Sequence, residues 1–196
     1  LRDAVHVTVI ADFIVMFFIL PMWMNFMLRT LAWRLILLNN GILNQILTSL
    51  GFGRVHLMNT MWAVILGTVY DYLPFMVLPI YNALVKIDND VISAAQDLGA
   101  GQGTILRRII IPLSIPGIVS GITMVMVPSI SEFVIASMLG GGKVYLIGNV
   151  IEQAFNSGYA DIHAGSGLSL SLMVLILISM VIYRFFDGEE GESGIW

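Results

Sequence analysis

The stretch Ser93-Ala-Ala-Gln-Asp-Leu-Gly99-Ala-Gly-Gln-Gly-Thr104-Ile-Leu-Arg107-Arg108-Ile-Ile-Ile-Pro112-Leu-Ser-Ile-Pro116-Gly-Ile118 is a polar interruption in an otherwise membrane-like chain. Just before it, Asp88, Asn89 and Asp90 offer N-cap oxygens and negative charge to a helix start. Val91, Ala94, Ala95 and Leu98 then recur at helical spacing, which predicts a short helix with one apolar face. Gly99 suits the left-handed position after the last turn, and Gly101 and Gly103 prolong the turn. Thr104 is the expected cap of a second helix that carries Arg107 and Arg108 into apolar sequence. Spacing alone fits an ordinary surface hairpin between two membrane spans equally well.

Ala94, Ala95, Asp97, Leu98, Gly99, Ala100, Arg107, Arg108, Pro112, Leu113, Pro116 and Gly117 form a long spaced pattern. It resembles the cytoplasmic coupling motif of permease subunits of binding-protein-dependent ABC importers. Ser93 departs from that motif, standing where the family usually has Glu. The resemblance implies an all-α membrane protein, a polytopic helical bundle of the type I ABC importer permease kind, in a bacterial inner membrane. It implies that Ser93, Ala94, Ala95, Asp97, Leu98, Gly99, Ala100, Arg107 and Arg108 make up the ATPase-coupling element. The implied partners are a cytoplasmic ATP-binding cassette ATPase dimer, a second, related permease subunit, and an external or periplasmic substrate-binding protein. ATP hydrolysis then belongs to the partner ATPase, and the chain itself is a transport subunit with no cofactor.

Composition agrees with a bilayer. Hydrophobic residues make up 58% and charged residues 11% of the 196-residue chain, and the mean hydropathy is +0.90. Soluble domains carry about a quarter charged residues. The formal charge of -4 includes several acids near the C-terminus and so says little about a binding site. Zero cysteines exclude disulfides, thiolate metal sites and thiol catalysis.

Hydropathy predicts four spans: about Val7 to Leu28, Met61 to Leu84, Ile109 to Met138 and Leu168 to Phe186. Type I permeases of this branch typically have six, so the resemblance implies one or two further spans before Leu1. The expected division is a permease domain over residues 1–186, with a coupling helix-turn-helix at about 88–108, and a solvated tail over 187–196. Arg29 and Arg34, behind the first span, are expected to reach the headgroups, with Trp23 and Trp33 at the interface. Placing the coupling stretch in the cytoplasm puts Arg2, Lys86, Arg107, Arg108 and Arg184 inside and Arg29, Arg34, Arg54 and Lys143 outside. That near-even split sets no orientation under the positive-inside rule.

Two acids fall within the expected spans. A carboxylate near the middle of a membrane helix costs on the order of 3 kcal/mol on insertion scales, so it faces a bundle interior or an aqueous path. Asp71, in Tyr70-Asp71-Tyr72-Leu-Pro74, and Glu132, between Ser131 and Phe133, are therefore the candidate substrate-path acids. Tyr70, Tyr72 and Trp33 are candidate π partners for a cation. The run Asn25 to Trp33 followed by Asn40-Gly-Ile-Leu-Asn44, the string Tyr70 to Tyr81, and Gly140-Gly-Gly-Lys143 followed by Ile147-Gly-Asn149 resemble spermidine/putrescine permeases. The resemblance implies polyamine cargo. An importer for another small solute is the alternative within the class, and a secondary transporter or channel subunit the alternative outside it.

Other chemistry finds little footing. His6, His56 and His163 form no His-x-x-x-His pair, and no Walker phosphate loop is present. Gly165-Ser166-Gly167 lacks the nucleophile-elbow pattern, and the basic residues are too few and scattered for nucleic-acid binding.

Overall fold

The computed structural model describes Met16, residues 20–156 and residues 161–192. Most of the expected first span lies outside the described residues. The part that is described is not one continuous helix: a 3-10 turn at Leu20–Trp23 precedes α1, Phe26–Leu37. Asn25, inside the expected first span, instead starts a helix. Its side-chain oxygen accepts the Met27 and Leu28 amides at 2.9 and 3.4 Å, satisfying donors that a helix start leaves open.

Helix α2, Ile42–Ser49, follows after a tight turn. Asn44 on this helix is buried and donates to the Val55 carbonyl at 3.0 Å while accepting the Val55 amide at 2.8 Å. The polar connection around Arg54 and His56 is thereby held against α2. Thr60 caps α3, Met61–Val85, the first full-length apolar helix among the described residues.

The decisive stretch folds as a helix, a turn and a helix. Asp88 caps α4, Asn89–Asp97, by accepting the Asp90 amide at 3.0 Å, and Gly99 adopts φ +80°. The second helix begins earlier than expected. Gly101 is its N-cap, so Thr104 lies inside α5, Gln102–Ile130. Backbone geometry won over side-chain preference here: Gly101 is extended, and the Thr104 and Ile105 amides both bond its carbonyl. A π-helical turn at Leu106–Ile110 stands just ahead of Pro112, whose ring nitrogen has no proton to give the preceding turn.

Helix α5 ends at Ile130, and the expected third span does not run on to Met138. Ser131, Glu132 and Phe133 break the axis before the short helix α6, Val134–Gly140. Helix α7, Ile147–Asn156, follows and is amphipathic. Asp161 caps the last helix, α8, Ile162–Glu192, by accepting the Ala164 amide at 3.0 Å. This helix starts before Leu168 and continues past Phe186, so residues 187–192 are helical. Among the described residues, three helices, Met61–Val85, Gln102–Ile130 and the Ile162–Val181 portion of α8, are long and apolar enough to cross a membrane.

The bundle is organised by α3 and α5, which share the most extensive contact among the described helices. Gly117 and Gly121 make the close approach possible. A Cβ at Gly117 would stand 2.5 Å from the Ala83 Cβ and 2.6 Å from the Pro79 carbonyl oxygen, and one at Gly121 would stand 2.8 Å from the Met76 sulfur. Small residues one turn apart let membrane helices gain dispersion contact that lipid cannot match. A second core gathers Leu37, Ala63, Val64, Ile135, Ala136 and Leu139, where α6 folds back between α1 and α3.

Gly117→Val should therefore force α3 and α5 apart, lowering stability by about 1–3 kcal/mol, the usual range for overpacking. Thermal melting of the detergent-solubilised chain reads this as a lower midpoint, whereas Ser120→Val, at an exposed position on the same helix, should melt close to the parent.

Candidate functional site

The polar chemistry of the bundle centres on α3, at Tyr70, Asp71 and Tyr72. Asp71 is 1% exposed and forms an ion pair with the Nε of Arg29. Its second oxygen accepts the Thr30 hydroxyl at 3.3 Å. Arg29 also donates from Nη1 to the Pro21 carbonyl at 2.9 Å, and its guanidinium stands 5.9 Å from the centre of the Phe26 ring. The headgroup position expected for Arg29 is thus corrected: it is buried at 9% exposure. An uncompensated Asp71 inside an apolar bundle would be costly, and Arg29 is the cation that offsets it. The Asp71 carboxylate is consequently occupied within the protein, and it joins the 3-10 turn, α1 and α3 through one group.

Glu132 is placed differently. It lies in the break between α5 and α6, 7% exposed. One oxygen accepts the Ile135 amide at 2.9 Å and so caps α6, and the other accepts the Tyr72 hydroxyl at 2.8 Å. No Lys, Arg or His nitrogen lies within salt-bridge distance of Glu132 among the described residues. Its charge is met by hydrogen bonds alone, which leaves it complementary to an added cation. Tyr72 and Ser129 line a groove of about 530 Å³ between α3 and α5, together with Thr68, Met76, Ile122 and Met126.

Tyr70 and Trp33 face a separate, largely apolar groove of about 490 Å³ between α1 and α3, also lined by Leu37, Leu57 and Trp62. Their rings meet edge to face at 5.1 Å between centroids and 70° between planes. Tyr72 and Phe75 stand 6.3 Å apart. The five expected path residues thus divide into three places: the Asp71 ion pair, the Tyr72–Glu132 hydrogen bond, and the Trp33–Tyr70 pair. Arg29 is the partner of Asp71 that sequence reading missed, because the two residues are 42 positions apart.

The supports around Glu132 are equally specific. Gly148 of α7 is buried close against the backbone of the break, its Cβ position 2.7 Å from the Glu132 carbonyl oxygen. Asn149 beside it donates to the Phe133 carbonyl at 2.9 Å and to the Ser137 hydroxyl at 2.8 Å. Its oxygen accepts the Leu146 amide at 3.1 Å. Ile147-Gly148-Asn149 therefore fixes the break by close backbone approach and side-chain bonds.

At the far end of α5 the helix-turn-helix stands apart from these groups. Ser93, Ala94, Asp97, Gly99, Arg107 and Arg108 are exposed, while Ala95 and Ala100 are half-buried. Leu98 is 89% exposed and Val91 44%, so the apolar edge of α4 has no intramolecular cover at these positions. No group of three or more His, Cys, Asp or Glu side chains suited to a metal occurs among the described residues.

Arg29→Met is expected to destabilise the bundle by about 3–5 kcal/mol, because it leaves Asp71 buried without its cation. In a double-mutant cycle followed by thermal melting, Arg29→Met with Asp71→Asn should recover most of that loss. Strict additivity of the two changes would show the pair to be energetically uncoupled.

Residues 5–189 match the family model described as "Binding-protein-dependent transport system inner membrane component". The chain is 40% identical over 167 residues to the spermidine/putrescine transport system permease protein PotB of Haemophilus influenzae, covering 84% of this chain and 58% of that protein. It is 38% identical over 167 residues to PotB of Escherichia coli strain K12, covering 84% of this chain and 60% of that one. The chain thus spans somewhat more than half the length of these relatives. Its fold is shared by a chain of a bacterial alginate ABC transporter solved with an alginate pentasaccharide-bound periplasmic protein, with a TM-score of 0.73 at 15% identity over 94% of this chain and 67% of that one. With the family model matching nearly end to end and the bundle superposing on a transporter of known structure, the chain belongs to the inner-membrane components of binding-protein-dependent transport systems.

Proposed function

We propose that this chain is the permease subunit of an ATP-driven importer that takes up polyamines of the spermidine and putrescine class. Its partners on this reading are a cytoplasmic ATPase dimer, a second related permease and an external binding protein. The chain itself performs no hydrolysis. Similarity to PotB supports the cargo.

The observation that carries the proposal is the uncovered apolar edge of α4, with Leu98 89% exposed beside Gly99 at φ +80°. A short amphipathic helix with an open apolar edge suits a groove on a partner. The left-handed glycine sets the angle between α4 and α5, so movement of the docked helix passes directly into a helix long enough to span the membrane. Ser93, Ala94, Ala95, Asp97, Ala100, Arg107 and Arg108 complete the proposed coupling element. Ser93 lacks the carboxylate usual there and bonds its own helix at the Asn89 carbonyl, 3.0 Å away.

For the cargo, a polyamine presents several ammonium groups on a flexible apolar chain. Glu132 and Tyr72 offer a carboxylate and a phenol beside a groove, and Trp33 and Tyr70 add aromatic faces along the neighbouring one. In this proposal Asp71 serves the path indirectly, by fixing α1 to α3 through Arg29.

Gly99→Val should cut ATP-dependent uptake about tenfold or more, because φ +80° strains a β-branched residue by about 1–3 kcal/mol. Uptake is measured in proteoliposomes containing the full-length permease and its partners, with subunit abundance monitored. Normal uptake at normal abundance would remove the coupling role. Glu132→Gln should weaken uptake about tenfold, equivalent to roughly 1.4 kcal/mol, and unchanged uptake across substrate concentrations would remove Glu132 from the path.

A further inference from the structure

A third cavity, distinct from the α3–α5 and α1–α3 grooves, lies where α7 and α8 meet the α5–α6 break. It measures about 440 Å³ and is lined by Ser131, Phe133, Glu152, Phe155, Asn156 and Ser169, among others. We propose that this cavity is an entry subsite for one terminal alkylammonium group of the cargo, with Glu152 as its specificity-determining charge. The proposal rests on the polyamine reading above and adds a site to it.

The chemistry of the lining supports this. Glu152 is half-buried, and among the described residues no Lys, Arg or His nitrogen lies within salt-bridge distance of it. Its recorded bond is from the Asn156 amide, one helical turn along α7, at 3.1 Å. Among the described residues its remaining acceptor capacity is open to an ammonium, which has protons to donate and no acceptor of its own. Phe133 and Phe155, partly exposed at 39% and 43%, bring aromatic rings to the lining of the same cavity. A carboxylate, two aromatic rings and small hydroxyls around one cavity are the complement of an alkylammonium head with its methylene chain.

Position supports it too. The cavity adjoins the end of α5 opposite to α4. At 1.5 Å per residue the 29 residues of α5 put roughly 43 Å between those ends. With α4 on the cytoplasmic side, the cavity opens at the external end of the bundle, where delivered cargo arrives. It also shares a wall with the proposed path. Ser131 and Phe133 line the cavity, while Glu132 between them turns inward to Tyr72. The break thus stands between two carboxylates, Glu152 outside and Glu132 inside, neither with a cationic partner among the described residues. A chain bearing ammonium groups at intervals can engage the second before leaving the first.

Glu152→Gln tests the assignment cleanly, since the glutamine oxygen still accepts from Asn156 while the charge is gone. In proteoliposomes containing the complete transporter with the full-length permease, radiolabelled spermidine uptake is measured across substrate concentrations. Glu152→Gln should raise KM about five- to tenfold with kcat nearly unchanged, and Phe155→Leu should raise KM by a smaller factor. Glu152→Asp, which keeps the charge, should fall between Gln and the parent. A parental KM for Glu152→Gln, or a loss confined to kcat, would overturn the subsite while leaving the cargo assignment standing. Absence of spermidine uptake by the unsubstituted complex would overturn the cargo assignment, and the subsite with it.

Discussion

The buried bond between Arg29 and Asp71 is the constraint around which the 3-10 turn, α1 and α3 are arranged. An acid in the apolar helix α3 has to be offset within the protein, because neither lipid nor a single neighbouring hydroxyl replaces lost hydration. Arg29 reaches it from α1 and simultaneously ties down the turn at Pro21, while Thr30 on the same helix closes the remaining side. One ion pair thereby fixes the 3-10 turn and α1 against the long apolar helix α3. The α6 segment then completes the packing, with Ile135, Ala136 and Leu139 filling the space between α1 and α3.

The second buried acid has the opposite role. Glu132 sits where the helix axis breaks, and it repairs that break by capping α6 and receiving the Tyr72 hydroxyl. Neutral donors satisfy its lone pairs without cancelling its charge. The contrast between Asp71, ion-paired within the protein, and Glu132, hydrogen-bonded but without a cationic partner among the described residues, is the electrostatic basis of the proposal that a cation is met at the α5–α6 break. Gly148 and Asn149 then fix that break by holding α7 directly against it.

Much of this bundle can be read from residue order. The Asp88 cap, the left-handed Gly99 and the apolar helix from Met61 follow from capping chemistry, backbone sterics and local periodicity. The failures are of two physical kinds. Where two local signals compete, the weaker one misleads: Thr104 is the better capping side chain, yet the extended Gly101 starts the helix, and the apolar residues on both sides of Glu132 hide a break. Where the cause is a distant partner, local reading has no access to it. Arg29 looks like an interfacial arginine until α3 brings Asp71 alongside, and Asn149 looks like an ordinary polar residue until its bonds to Phe133 and Ser137 appear.

On the proposed reading, an ATPase acts on the chain at the open edge of α4. The most direct test of this claim is a photoreactive side chain at position 98 in the full-length permease, irradiated in native membranes containing the whole transporter. Leu98 is 89% exposed, so the substitution leaves the bundle's own packing intact. The expected result is a covalent adduct with the ATP-binding subunit whose yield changes with nucleotide. Absence of that adduct from a complex shown to be assembled and active in transport would contradict the claim.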